Sequence, residues 1–353
     1  MPAPTPNRTL ALVVKNHQGG AASLALEEVS LPALRRGQAL IRVTASPVNP
    51  NDLLALRNAY SPPKLVGAVA GFEGSGVVVA GSGLMARALQ GRRVAFAAGE
   101  GGGAWAELVV ADVMRCVPLR GGVSDEEGAT MLTNPLTAMV LVSAAMREGH
   151  RAVVQAAAAG ALGKMVARLA LARGLSMLHV VRSAAQRHAV LETGAKDVLD
   201  SSAPDFEQTL SRRCQALDAT LAIDPVGGAL TGTLLRALPE GGIVRIIGNL
   251  SGGPATFDPN DVMFRRKRVE GFTMYEWVKR TSLLGQMVMI NRVQGLLHGP
   301  LATEIRARVP LANYRIALEA YERSMSGGKI LLTPSAMQAG WVNRPGFSGD
   351  LFT

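Results

Sequence analysis

The residues best placed to do chemistry form a run of small side chains between two apolar stretches: Val153-Val154-Gln155-Ala156-Ala157-Ala158-Ala159-Gly160-Ala161-Leu162-Gly163. Ala152–Gln155 reads as a buried strand, and Leu162 to Arg173 as a helix stopped by Gly174. In that order, a strand, a small-residue turn and a helix let backbone N–H groups approach a pyrophosphate, whose charge the helix N-terminus favours. Ala158, Gly160 and Gly163 occupy the three places of the G-x-G-x-x-G pattern, with alanine in the first. With Ala161 and Leu162 they are the candidate phosphate contacts. The competing reading is an Ala-rich turn chosen for tight packing alone.

The following strand, Met177–Val181, ends in Arg182, 19 residues after Gly163. Sites that prefer NAD place an acidic residue about 20 residues on, where it binds the ribose 2′-hydroxyl. A guanidinium in that place can instead grip a 2′-phosphate with paired donors. NADP(H) is therefore the expected cofactor. Arg187 and Lys164 are further candidates for the same phosphate. Gly248 and Asn249 follow the strand Ile243–Ile247 and fall where parallel sheets place cofactor contacts. An exposed strand-end arginine without a ligand is the alternative for Arg182.

These segments belong to a larger rhythm. Asn134-Pro135 fits a helix start ahead of the apolar Leu136–Met146. A helix is expected over Ala184–Thr193, and further strands at Val198-Leu199, Leu221–Ile223 and Val269–Phe272. Alternating strands and helices predict an α/β fold with a doubly wound parallel sheet, the Rossmann arrangement, over 127–272. Residues 1–126 instead show short alternating segments broken by Gly and Pro, such as Leu10–Val14, Ala39–Val43, Gly76–Ala80, Arg93–Ala97 and Ala106–Val110. That spacing predicts a small, mostly antiparallel β domain. A helix and a strand within Leu311–Leu332 are expected to return to it, so 273–353 is grouped with 1–126. After Pro334 the chain is rich in Gly, Pro and Asn and has no clear period.

Composition sets the outer limits. The chain has 353 residues, enough for two domains, with 48% hydrophobic and 18% charged residues and no long uncharged apolar run. A soluble protein in the cytoplasm is expected, with no secretory signal and no membrane span. Cys116 and Cys214 alone cannot make a disulfide framework or a four-thiolate zinc lobe. The five histidines show no ligand spacing, so no metal is expected. A formal charge of +10 suits an anionic partner such as a nucleotide, coenzyme A or an acidic carrier, or simply an Arg-rich surface. The run Arg265-Arg266-Lys267-Arg268 lacks interleaved aromatics, which argues against nucleic acid.

Several motifs together resemble the medium-chain dehydrogenase/reductase superfamily as far as about Pro334. They are Val48-Asn49-Pro50-Asn51-Asp52, Gly71-Phe72-Glu73-Gly74, Asn134-Pro135-Leu136-Thr137-Ala138, the nucleotide turn, Asp224-Pro225-Val226-Gly227-Gly228 and Gly328-Lys329-Ile330-Leu331-Leu332. Within the superfamily the chain is most similar to the zinc-free quinone oxidoreductase and 2-enoyl thioester reductase branches. Phe72 stands where zinc-dependent members have the histidine of Gly-His-Glu.

The resemblance implies a GroES-like catalytic domain beside the Rossmann domain, and a homodimer. It implies NADPH-dependent reduction of the double bond of an α,β-unsaturated carbonyl, with a 2-enoyl thioester as the leading substrate and a quinone as the alternative. A third possibility is an NADP-binding protein without catalysis. Tyr60 matches the tyrosine that stabilises the developing oxyanion in the enoyl reductases, a role that requires a hydroxyl donor where no metal serves. Asn49 and Thr137 would line the nicotinamide and substrate cleft, and Lys329 would contact the cofactor. Plainer roles stay open: Tyr60 as a packing aromatic, Asn49 as a turn former, Thr137 as a first-turn helix residue. Glu73 reads as a structural carboxylate.

Overall fold

The computed structural model describes residues 6–59, 65–99 and 103–334. Its contacts divide the chain into two units. One takes the described residues of Met1–Thr130, Ile305–Ser324 and Lys329–Thr353; the other takes Met131–Glu304 and Met325–Gly328.

In the first unit, Arg8–Val14 and Leu24–Ser30 pair antiparallel. A seven-stranded sheet among the described residues runs in the order Ile305–Pro310, Lys329–Thr333, Gln38–Pro47, Glu73–Gly81, Arg93–Ala97 and Cys116–Pro118, with Leu108–Asp112 also paired to Gln38–Pro47. Only the pair Ile305–Pro310 and Lys329–Thr333 is parallel. Alternate residues face opposite sides of a sheet, so Ile41 and Val43 join Val78, Val94 and Phe96 in one core cluster. A second cluster gathers Leu12, Val14, Val48, Leu53, Trp105 and the helix Tyr314–Arg323. That helix buries Tyr314, Ala317, Leu318 and Tyr321, the spacing of a single apolar stripe. The Tyr314 hydroxyl donates to the Leu24 carbonyl at 2.9 Å, and the Trp105 indole to that of Pro47 at 3.2 Å. Each buried ring thus also satisfies its polar atom.

The second unit is built on six parallel strands in the order Asp197–Asp200, Ser176–Val181, Ala152–Gln155, Ala219–Asp224, Ile243–Ile246 and Arg268–Gly271. The winding reverses beside Ala152–Gln155, which leaves a crevice at the carboxyl ends of the strands where such sheets bind ligands. Val154, Leu178, Val180, Ala222 and Val244 pack on one side of this sheet with Phe206, Leu210 and Leu234. The helices Asn134–Arg147 and Ala161–Ala172 pack against each other, and Leu283–Gln294 packs on the first of them.

The last contact places a boundary differently from the sequence reading. The chain re-enters the first unit at Ile305 rather than near 273, and the first boundary falls after Thr130 rather than 126. Helices Met274–Arg280 and Leu283–Gln294 remain with the parallel sheet, anchored by buried Val293, Leu297 and Leu301. Amphipathic periodicity announces a helix but not the surface it will cover. Among the described residues, no helix is long and apolar enough to cross a membrane.

Candidate functional site

The nucleotide turn lies in the second unit, at the carboxyl end of Ala152–Gln155. Ala157 adopts a left-handed conformation, with φ of 48°, which turns the chain back toward the helix Ala161–Ala172. The Ala158 N–H donates to the Val180 carbonyl at 3.2 Å, so Ala158 shapes the turn and its amide is already engaged. Gly160 is the helix N-cap and has no side chain to take the first N–H groups of the helix, which an α-helix leaves without internal partners. A Cβ on Gly163 would lie 2.4 Å from the Ala158 carbonyl oxygen. Only glycine allows the helix to sit this close to the turn. Open N–H groups, a twelve-residue helix behind them and no bulky side chain fit a dinucleotide pyrophosphate.

Beneath the turn lies a pair of residues that sequence reading overlooked. Gln155 and His179 occupy the same register on neighbouring parallel strands, and both are 2% exposed. The Gln155 amide donates to the Gly163 carbonyl at 3.2 Å and so ties the strand end to the helix start. Burial pulls the His179 imidazole down to about 4, against an opposing pull from Asp197. Its ordinary value in an unfolded chain is about 6.5. The folded protein therefore resists protonation that the unfolded chain accepts, and stability present above about pH 6.5 drains away as the pH falls through 4. The difference corresponds to about 3 kcal/mol. His179→Leu removes the titration, so its loss of stability between pH 7 and 4.5 should be about 2–3 kcal/mol smaller than the parent's in urea melts. Identical acid limbs would show that His179 does not titrate in this way.

Arg182 stands at the end of Ser176–Val181, exposed, and its guanidinium has no partner among the described residues. Its backbone N–H is fixed to Gln186 at 3.2 Å, while Ser183 caps the next helix. The two other cations behave differently. Arg187 donates to the Val198 carbonyl at 3.3 Å, and Lys164 pairs with Glu304 at 2.8 Å. Gly248 and Asn249 follow the strand Ile243–Ile246, and Asn249 accepts from the Ser251 hydroxyl at 2.9 Å. In the neighbouring turn, fully buried Asp224 accepts from the Val226 and Gly227 amides at 2.8 and 3.0 Å and from Thr231 at 2.6 Å. Its carboxylate holds the Pro225–Gly228 turn in shape. Thr137 is buried in the first turns of the helix Asn134–Arg147.

The first unit holds a second cluster. Asn49 is fully buried, and both ends of its amide are taken: Nδ2 donates to Glu73 at 2.9 Å, and Oδ1 accepts from Lys329. Its backbone N–H donates to Asp52 at 2.8 Å. Lys329, 1% exposed, also donates to the Val48 carbonyl at 3.3 Å and approaches the Tyr321 hydroxyl at 3.5 Å. Burial lowers its ammonium to about 8, although Glu73 and then Asp52 pull the other way. Lys329 braces a buried network here, and the Asn49 amide keeps one N–H and one lone pair beyond these two bonds. Glu73 has the structural role read for it. Tyr60 lies outside the described residues.

A parallel six-stranded dinucleotide fold and an antiparallel GroES-like unit define a two-domain nucleotide-dependent oxidoreductase architecture. Residues 35–121 match the alcohol dehydrogenase GroES-like domain, and 161–288 match the zinc-binding dehydrogenase family. A Mesorhizobium loti structure described as an NADPH:quinone reductase is 32% identical, with 94% of this chain and 100% of that one covered and a TM-score of 0.87. The chain belongs to the medium-chain dehydrogenase/reductase superfamily. It is also 27% identical to the mitochondrial enoyl-[acyl-carrier-protein] reductase of Bos taurus, over 93% of this chain and 89% of that protein. A mycobacterial structure in complex with NADPH shares the fold, at 22% identity and a TM-score of 0.78, with 93% and 100% of the chains covered.

The zinc of that family name does not suit these residues. Among the described residues, no group of three or more His, Cys, Asp or Glu side chains could hold a metal. Phe72 offers no donor atom. The Lys329 ammonium donates to Asn49 and feels the charges of Glu73 and Asp52, so one cation already answers part of the negative charge there.

Proposed function

We propose that this protein uses NADPH to reduce the carbon–carbon double bond of an α,β-unsaturated carbonyl compound, a 2-enoyl thioester foremost. The near-full-length likeness to an enoyl-[acyl-carrier-protein] reductase carries this reading. When bound, NADPH supplies the hydride. The amides of Ala161, Leu162 and Gly163 would hold the pyrophosphate, with Ala158 and Gly160 keeping the turn small, and Arg182 would take the 2′-phosphate. Gly248 and Asn249 would line the same strand ends. Hydride arrival at the β-carbon leaves negative charge on the carbonyl oxygen, and the Tyr60 hydroxyl would donate to it. Thr137 would line the nicotinamide side of the substrate site.

The likeness to an NADPH:quinone reductase, at higher identity, supports a second reading in which a quinone accepts the hydride. NADPH oxidation with enoyl-CoAs, free enones and quinones separates the two. Turnover of quinones with none of any enoyl thioester would defeat the first reading.

The protein is further proposed to be a homodimer. Arg268–Gly271 is the outer strand of the parallel sheet, and Met263, Phe264, Tyr275, Leu284 and Met287 nearby in sequence are all more than 60% exposed. Unpaired strand edges and exposed apolar side chains are features that association covers. Light scattering should give twice the chain mass, and a monomer mass at micromolar concentration would refute this.

A further inference from the structure

Lys164 follows Gly163 in the first turns of the nucleotide helix, and its side chain is only 15% exposed. Its ammonium pairs at 2.8 Å with Glu304, whose own side chain is 55% exposed. The same carboxylate lies 3.6 Å from Arg168, one turn further along that helix. Arg168 is clamped from the other side, donating to the Pro300 carbonyl at 3.1 Å and to the Ala302 carbonyl at 2.6 Å. The segment leading to Glu304 is therefore fastened to the helix independently of the carboxylate. Ala161, Lys164 and Arg168 line one groove with Glu304, which begins at the first residue of the helix.

Two demands meet at Lys164. A phosphate at the helix N-terminus attracts a nearby ammonium, and the flexible four-carbon stem of lysine can swing toward it. The Glu304 carboxylate attracts the same ammonium and repels the phosphate. We propose that Glu304 is a positioning residue that limits cofactor affinity: it competes with a phosphate of the bound dinucleotide for Lys164. This rests on the NADP(H)-binding reading given above. The pair sets how tightly the cofactor is held, and hence how readily the oxidised cofactor leaves.

Glu304→Gln keeps the shape of the side chain and removes its charge. It should tighten NADPH binding about two- to fivefold in fluorescence titrations at low salt, the range of a partly exposed ion pair. A parallel NADH titration identifies the phosphate. Tightening of both cofactors points to the pyrophosphate, and tightening of NADPH alone points to the 2′-phosphate. Lys164→Met should weaken binding, and adding Glu304→Gln to it should then change nothing. Unchanged affinity for both cofactors in Glu304→Gln, even with a lowered melting temperature, would overturn the inference and leave the pair a structural clamp. Undiminished tightening in the Lys164→Met background would overturn it equally, since Glu304 would then act without Lys164. A parent protein that binds neither cofactor would instead defeat the underlying reading.

Discussion

Tyr60→Phe is expected to cut turnover of the best enoyl thioester by about 10²–10⁴-fold, with NADPH affinity almost unchanged. The substitution keeps the ring and removes only the hydroxyl. If that hydroxyl meets charge that appears only as hydride arrives, its loss raises the barrier without weakening ground-state binding. The remaining tyrosines narrow the choice. Tyr314 donates to the Leu24 carbonyl in the core, and Tyr321 is buried beside Lys329, where burial and then Asp52 push its phenol well above the ordinary range. Tyr275 is 61% exposed, with the Lys279 ammonium 4.2 Å from its ring centre. The Asn49 amide is engaged at both ends, and the residues present do not suit a zinc ion. Quinone products are more acidic and need less help from a positioned donor, so the variant should lose enoyl reduction more than quinone reduction. Full turnover on an enoyl thioester would remove Tyr60 from the mechanism and turn attention to Thr137 and Tyr275.

Arg182→Ala is expected to weaken NADPH binding about 10- to 100-fold and to leave NADH binding nearly unchanged. A charge-assisted hydrogen bond is worth about 1.5–3 kcal/mol, and each 1.4 kcal/mol is a factor of ten. Two features make Arg182 the strongest candidate for the 2′-phosphate. Its guanidinium is exposed without a partner among the described residues, and its backbone is pinned by Gln186. Arg187 and Lys164 would each have to leave an existing partner. The measurement is paired fluorescence titration of parent and variant with both cofactors. Equal affinities for NADPH and NADH in the parent would show that Arg182 serves another purpose.

The nucleotide turn was legible because every requirement it meets is local. Strand, small residues, glycines and helix follow one another within a dozen positions, and the terminal Arg182 lies one βα unit further on. Strand and helix periodicity likewise announced the parallel sheet and the antiparallel unit, although Gln38–Pro47 runs four residues past the expected Val43 and Glu73–Gly81 starts three residues before the expected Gly76. The last helix was legible as an element from the stripe Tyr314, Ala317, Leu318 and Tyr321.

By itself, then, the sequence determined the kinds of element, their order and the dinucleotide turn, because these depend on neighbours along the chain. Tertiary structure alone decided which distant side chains meet. Lys329 reaches Asn49 across 280 residues, and Glu304 reaches Lys164 across 140. Those meetings tie Asn49 and Lys329 into one buried network and set Glu304 against Lys164. The helices Met274–Arg280 and Leu283–Gln294 likewise stayed with the parallel sheet, where an apolar stripe announces burial without naming the surface that provides it. A buried lysine or amide must find partners wherever folding brings them, since leaving a polar group unpaired away from water costs about 1–3 kcal/mol or more. That cost is set by three-dimensional neighbours, which spacing along the chain does not encode.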